Sequence, residues 1–155
     1  MSDDAILQNP HLASLAVLVG KWHVQVTNAS FLPSLQDSIE GAASFAWLGG
    51  GAFLAMRSEM YAPGPPKSFT IIGRDMKQAE YSALYYDERG VSRTMEMDFI
   101  GGIWKMWRDA LDNPFSQRFE GHLSADNNTI TAQWEKSFNN QDWELDFDII
   151  YTRIT

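Results

Sequence analysis

The chain has 155 residues, 45% of them hydrophobic and 13% aromatic, which is enough apolar material for a single domain over 1–155. Its formal net charge of −8 disfavours nucleic acid and membranes as partners, since anionic surfaces repel an acidic protein. The sequence has no cysteine, which excludes disulfides, thiol nucleophiles and zinc–thiolate sites. An acidic start without a long apolar run predicts a cytoplasmic protein in which residues 1–8 form a loose N-terminal arm.

One segment near the start has the chemistry of a helix. Asn9 is a suitable N-cap, Pro10 suits the first helical position and Gly20 is placed to end the helix. The apolar residues between them follow the spacing of one helical face, and they are Leu12, Leu15, Ala16 and Val19. The pattern predicts a short amphipathic helix over 10–19 that plugs one end of the fold.

From Trp22 onward, apolar and polar residues alternate and short turn signals separate the runs. Ten strands are predicted near 21–28, 37–48, 52–61, 68–74, 79–87, 91–99, 103–110, 116–123, 128–138 and 142–154. No crossover helix lies between them, which favours antiparallel hairpins. Closing the sheet removes its two exposed edges, so the fold class is all-β, a single antiparallel up-and-down barrel of about eight to ten strands.

Two strands show which side chains would face the interior. In the strand at 91–99, Arg93 shares a face with Met95, Met97 and Phe99. In the last strand, acidic residues alternate with an apolar set that is expected to face inward, and this set is Trp143, Leu145, Phe147, Ile149 and Tyr151.

The two ends of this pattern resemble the calycin superfamily, the barrels related to lipocalins and fatty-acid-binding proteins. Gly20-Lys21-Trp22 is similar to the Gly-x-Trp of that superfamily, and Arg153 matches the basic residue that packs on the tryptophan. Further features resemble a bacterial family of uncharacterised calycin-like barrels, and they are Trp47 to Gly51, Gly73-x-Asp75 before Tyr81, Asp87-x-x-Gly90 and the final Tyr-Thr-Arg. The resemblance implies a barrel with a cavity, in which Gly20, Trp22 and Arg153 form the structural closure.

Charged residues within the strands are candidates for a ligand contact. Arg57 and Glu59 lie in a strand whose two faces are both mixed, so they belong either to the lumen or to a solvated surface pair. Arg93 has apolar neighbours on its face, and it either enters the lumen or extends its head to water.

The usual catalytic and metal-binding patterns are missing from the sequence. The three histidines have no metal-ligand spacing, no serine has a catalytic setting, and the acidic strand faces are typical of solvated surfaces. The chain is distantly similar to haem-binding nitrobindin-type barrels, but residues 142–155 contain no histidine, so neither haem nor any other cofactor is predicted.

The leading hypothesis is therefore a module that binds a small apolar or aromatic ligand in its lumen. The predicted ligand-binding residues are Trp47, Arg57, Arg93, Met95, Met97, Trp104, Trp134 and Phe147. We expect the chemistry to lie at the end opposite Trp22 and Arg153, near Trp47, Arg57 and Arg93. One alternative is an isomerase or cyclase that uses Glu59 or Tyr85 as the acid–base group. Another is a packed barrel whose outer face forms a homo-oligomer.

Overall fold

The computed structural model describes residues 7–34, 37–61, 65–75, 80–110 and 114–155. Ten strands form it: β1 (Gly20–Thr27), β2 (Ile39–Leu48), β3 (Phe53–Met60), β4 (Ser68–Arg74), β5 (Tyr81–Asp87), β6 (Ser92–Ile100), β7 (Ile103–Arg108), β8 (Ser116–Leu123), β9 (Thr129–Ser137) and β10 (Glu144–Arg153). Each strand pairs antiparallel with the next, and β10 pairs with β1 to close the barrel. The predicted all-β closed barrel is confirmed. Within the described ranges, no helix is long and apolar enough to cross a membrane.

Glycine residues form several of the turns between strands. The β2–β3 turn contains Gly49, Gly50 and Gly51, whose φ angles of 62°, 67° and 89° are in the left-handed region. Residues with a Cβ atom rarely adopt that region, so this glycine run fixes the hairpin that the sequence predicts.

A 3₁₀ helix over Pro10–Leu18 precedes β1, and Asn9 caps it by accepting a hydrogen bond from the His11 amide at 3.1 Å. Its buried face consists of Leu12, Leu15 and Leu18. The prediction that Ala16 and Val19 would share this face is wrong: Ala16 is exposed and Val19 lies beyond the helix end. A 3₁₀ helix has three residues per turn, which aligns positions i, i+3 and i+6.

The 3₁₀ helix lies at one end of the barrel, which we call the helix end. Asn9 donates a side-chain hydrogen bond to the Arg74 carbonyl at 2.9 Å, and the Ser14 and Tyr81 hydroxyls are 2.8 Å apart. The Gln8 amide donates to the Gly50 carbonyl at the same end. Residues 1–6, most of the predicted arm, lie outside the described residues. We call the opposite end, where β1, β3, β5, β7 and β9 finish, the open end.

Aromatic side chains fill the barrel toward the helix end. Phe45 on β2 and Trp104 on β7 come from opposite sides of the ten-strand ring, yet their ring centroids are 5.8 Å apart. Trp104 also contacts Phe119 at 4.6 Å and Tyr151 at 6.3 Å. Because these rings meet across the interior, they separate its helix end from the opposite half of the barrel.

The last strand departs from strict alternation at its beginning. The register between β9 and β10 shifts between Leu145 and Phe147, which is the mark of a β-bulge. Phe147, Ile149 and Tyr151 keep the inward face, but Leu145 is 40% exposed. Trp143 packs under the exposed Arg118 guanidinium. The predicted inward positions of Trp143 and Leu145 are therefore wrong, because the extra residue reverses the alternation.

Candidate functional site

The two ends of the chain meet in a contact that closes the barrel. Trp22 and Arg153 are directly paired in register, and the Arg153 guanidinium lies 4.2 Å from the centroid of a Trp22 ring. Arg153 donates to the carbonyls of Val17, Val19 and Asn127, and Trp22 Nε1 donates to the Leu18 carbonyl at 2.9 Å. The guanidinium therefore satisfies the carbonyls at the end of the 3₁₀ helix. This geometry indicates a structural role, the closure of the barrel between β1 and β10.

Gly20 allows the last residues of the chain to pass close to the start of β1, beside this contact. Its φ angle is 136°, and a Cβ atom there would lie 2.2 Å from the Thr155 carbonyl oxygen. A side chain at this position would push the last residues of the chain away from β1.

The residues predicted to bind a ligand separate into two groups. Trp47, Met97 and Trp104 face inward toward the helix end, where Trp104 is 1% exposed and Met97 is fully buried. Arg93, Met95, Trp134 and Phe147 belong to the inner face of the other half, toward the open end. We expected Trp47 to lie at the end of the barrel opposite the Trp22–Arg153 contact. This expectation is wrong, because β2 and β10 both finish at the helix end.

Arg57 and Glu59 point away from the lumen. Both are exposed on the outer face of β3, where Arg57 stacks on Phe69 at 4.9 Å and Glu59 pairs with Lys67 at 3.2 Å. The predicted place of Arg57 in the lumen is therefore wrong, and Glu59 cannot act on a molecule held inside the barrel. Leu54 and Met56 instead occupy the inner face of β3.

These outer residues border a groove of about 580 Å³ that crosses the first five strands. Small side chains such as Ala42 and Ser44 form part of its surface. A second outer groove of about 350 Å³ lies on β7, β8 and β9. Acidic partners neutralise cations in both, as in the Lys67–Glu59 and Lys105–Glu120 pairs. The positive charges of Lys67 and Lys105 are therefore compensated in these grooves.

Two arginines meet on the inner face at the open end, and we call Arg93 and Arg108 the arginine pair. Arg93 Nη1 donates to Gln117 Oε1 at 2.8 Å, and Arg108 Nη2 approaches the same oxygen at 3.3 Å. Arg108 Nη2 also donates to the Phe115 carbonyl at 2.9 Å, and the Arg93 guanidinium lies 5.8 Å from the Phe115 ring. Both cations therefore share one neutral acceptor, the side-chain oxygen of Gln117.

The arginine pair has no anionic partner among the described residues. The ion pairs of those residues involve other side chains, and both guanidinium groups are left without a carboxylate. Arg108 is 9% exposed, and its Nε is buried without a hydrogen-bond partner within the same ranges. Burial, and then the positive charge of Arg93, lower the pKa of Arg108.

Sequence reasoning missed Arg108, although the sequence contains a signal for it. In β7, Trp104, Met106 and Arg108 are alternate residues, and all three are buried. An arginine at the end of an inward-facing apolar series is therefore the pattern that identifies it.

Tyr85 faces inward at the same end, where it is paired in register with Arg93. Its hydroxyl donates to Asp87 Oδ2 at 2.8 Å, and Asp87 also pairs with Arg89 at 2.7 Å. Burial, followed by the hydrogen bond to Asp87, raises the pKa of Tyr85. The hydrogen bond from Arg89 is the main cause that lowers the pKa of Asp87 to about 2. Tyr85 is therefore a neutral hydrogen-bonding group, and Asp87 is committed to Arg89.

Aromatic side chains continue the inner wall below the arginine pair. Phe119 and Trp134 are paired in register with ring centroids 5.1 Å apart, and Phe147 is the partner of Trp134 on the next strand. Phe31, from the β1–β2 loop, meets Phe147 edge to face at 5.6 Å. Trp134 and Phe147 are only partly buried. Cationic and aromatic groups are thus neighbours on one inner surface.

The fold and this site define a closed ten-stranded antiparallel barrel with an aromatic and cationic inner surface at its open end. No protein-family model matches the chain, and no curated protein matches its sequence. Its shape is similar to that of the crystal structure of Rv2717c from M. tuberculosis, with a TM-score of 0.61 and 13% identity. The match covers 95% of this chain and 99% of the other. At this identity the likeness establishes the fold, and the calycin resemblance stays a prediction.

Proposed function

We propose that this protein binds a small, largely apolar or aromatic molecule in the open half of its barrel. The observation that carries the proposal is the partly exposed pair Trp134 and Phe147 on the inner face. Covering apolar surface is favourable by roughly 25 cal/mol per Å², so a molecule that fits against these rings gains affinity from their burial.

The filled interior limits the size of that molecule. The Phe45–Trp104 contact joins opposite walls, so a ligand entering from the open end stops above these two rings. The proposal therefore specifies a compact aromatic molecule rather than a long chain. Met95, two residues inward from Arg93, would contribute an adaptable wall.

A neutral fluorescent probe tests the proposal. N-Phenyl-1-naphthylamine is expected to bind saturably to the folded protein with increased emission. Trp134→Leu should weaken its binding about tenfold, which corresponds to about 1.4 kcal/mol of lost aromatic contact. Trp143→Leu is the matched control, because Trp143 packs on the exposed Arg118 outside the barrel. Absence of saturable binding, or equal weakening by both variants, would contradict the proposal.

The two other functions considered from the sequence have less support. An enzyme using Glu59 lacks that carboxylate inside the barrel, since Glu59 pairs with Lys67 on the outside. Tyr85 does face inward, but its raised pKa makes it a poor base near neutral pH. A homo-oligomer formed through the outer face stays a prediction.

A further inference from the structure

We infer that the arginine pair is the subsite for an anionic head group, so that the ligand is an amphipathic organic anion with an aromatic body. This inference rests on the proposed function and adds the chemical class of the molecule. The head group would be an oxyanion such as a carboxylate or sulfonate, seated between Arg93 and Arg108 at the open end.

The first argument is the unsatisfied hydrogen-bonding capacity of Arg108. A guanidinium has five N–H groups, and the buried Nε of Arg108 has no partner among the described residues. Leaving a buried donor of a charged group unpaired is costly, and native proteins rarely do so. An oxyanion beside Nε would supply the missing acceptor.

The second argument is the uncompensated charge. Arg93 and Arg108 converge on one neutral oxygen, Gln117 Oε1, at 2.8 and 3.3 Å. Two other cations at this end do have carboxylate partners, since Arg89 pairs with Asp87 and Lys136 pairs with Asp146 at 3.6 Å. In a chain whose net charge is −8, two clustered arginines without a carboxylate partner in the described ranges are complementary to an external anion.

The third argument is the position of the pair next to the aromatic wall. Gln117 and Phe119 lie on the same face of β8, and Phe119 is followed across the sheet by Trp134. A rigid molecule can therefore place its anion at the arginines and its rings against Trp134. The separation between head and rings is that of adjacent inward residues on one strand, about 7 Å.

Three probes separate the head group from the aromatic body. 1-Anilinonaphthalene-8-sulfonate carries both, N-phenyl-1-naphthylamine carries the same rings without the sulfonate, and inorganic sulfate carries the anion alone. The sulfonate probe is expected to bind at least tenfold more tightly than the neutral amine. Arg108→Gln should remove this difference and leave the affinity for the neutral probe within twofold. Arg93→Gln should have a similar but smaller effect.

Arg57→Gln is the matched control, because it removes one positive charge beside an aromatic ring on the outer face. It should change neither affinity by more than twofold. The urea midpoint of the unliganded Arg108→Gln variant should be equal to or above that of the wild type, because the variant removes a buried cation that has no carboxylate partner among the described residues. A merely structural arginine would give a lower midpoint.

The outcomes distinguish failure of the two proposals. If the neutral probe binds in the lumen but the sulfonate gives no gain, or the gain survives in both Arg108→Gln and Arg93→Gln, the anion subsite is refuted and the binding function stands. If the neutral probe does not bind but millimolar sulfate raises the melting temperature of the wild type and not of Arg108→Gln, the anion site stands and the aromatic-binding function is refuted. Loss of sulfonate binding in Arg57→Gln alone would place the probe in the outer groove and overturn the inference.

Discussion

Replacing Arg153 by methionine tests how the barrel is closed. The guanidinium lies 4.2 Å from the centroid of a Trp22 ring and donates to the carbonyls of Val17, Val19 and Asn127. Methionine keeps an apolar stem of similar length over the indole, but it removes the charge and every donor. The 3₁₀ helix then loses the partner of its last carbonyls, at the seam between β1 and β10.

The magnitude follows from these contacts. A partly desolvated cation–π contact contributes about 1 kcal/mol. Each of the three carbonyl acceptors contributes about 1 kcal/mol at this half-buried site, where water replaces part of the lost bond. We therefore expect Arg153→Met to lower the free energy of unfolding by about 3–4 kcal/mol, a large part of the stability of an ordinary domain.

Urea denaturation followed by tryptophan fluorescence measures this loss as a lower midpoint with an unchanged slope. Arg118→Met is the matched control, because Arg118 lies 4.1 Å from the Trp143 ring and pairs with Glu135 on the exposed outer face. We expect that control to lose about 1 kcal/mol or less. A loss below 1 kcal/mol for Arg153→Met, or one equal to the control, would refute the reasoning that the carbonyl contacts stabilise the closure.

Three further predictions use the same measurement. Leu18→Ala should lower the free energy of unfolding by about 2–4 kcal/mol, since Leu18 is fully buried on the inner face of the 3₁₀ helix. Val19→Ala should lower it by about 1 kcal/mol or less, because Val19 lies beyond the last residue of that helix. Equal losses would mean that a different set of helix residues faces the core. Gly41→Ala should lower the free energy of unfolding by about 2–3 kcal/mol, because its Cβ would lie 2.3 Å from the Glu59 carbonyl oxygen. Gly121→Ala should lower it by about 1 kcal/mol, because the atoms nearest to its Cβ would be 3.1–3.2 Å away. The reverse order of the two losses would contradict this account of the packing. The pKa of Asp87 is lowered in the folded state to about 2, so its contribution to the free energy of unfolding is fully present above the unfolded pKa of about 4 and is lost as the pH falls toward 2. Between pH 6 and pH 2.5, the free energy of unfolding of Asp87→Asn should therefore fall by about 1 kcal/mol less than that of the wild type. An acid profile equal to that of the wild type would contradict this prediction.

Much of the fold could be predicted from local sequence patterns. The bounds of all ten strands lie within two residues of the predicted ones, because inward and outward side chains alternate along each single strand. The glycine turn at 49–51 and the cap at Asn9 are equally local. The contact between Trp22 and Arg153 followed from the resemblance, which paired the first and last strands.

The candidate site was predicted only in part. Arg93, Trp134 and Phe147 were assigned to the inner face, where the structure has them. Arg57 was also considered for the lumen, but β3 is mixed on both faces, and alternation alone cannot choose between two mixed faces. Arg108 was overlooked because it ends a short strand, and its significance depends on the arginine of another strand.

The sequence by itself determined the bounds of the strands and the closure of the sheet, since these depend on period-two alternation, turn residues and the need to remove exposed edges. It left the number of strands in the barrel at about eight to ten, and the structure has ten. The tertiary structure decided the facing of β3, the bulge that turns Trp143 and Leu145 outward, and the meeting of Arg93 with Arg108 around Gln117. Those features depend on the register between neighbouring strands and on rings that meet across the barrel. Such long-range geometry has no period along the chain, and it is what makes the open end of this barrel a site.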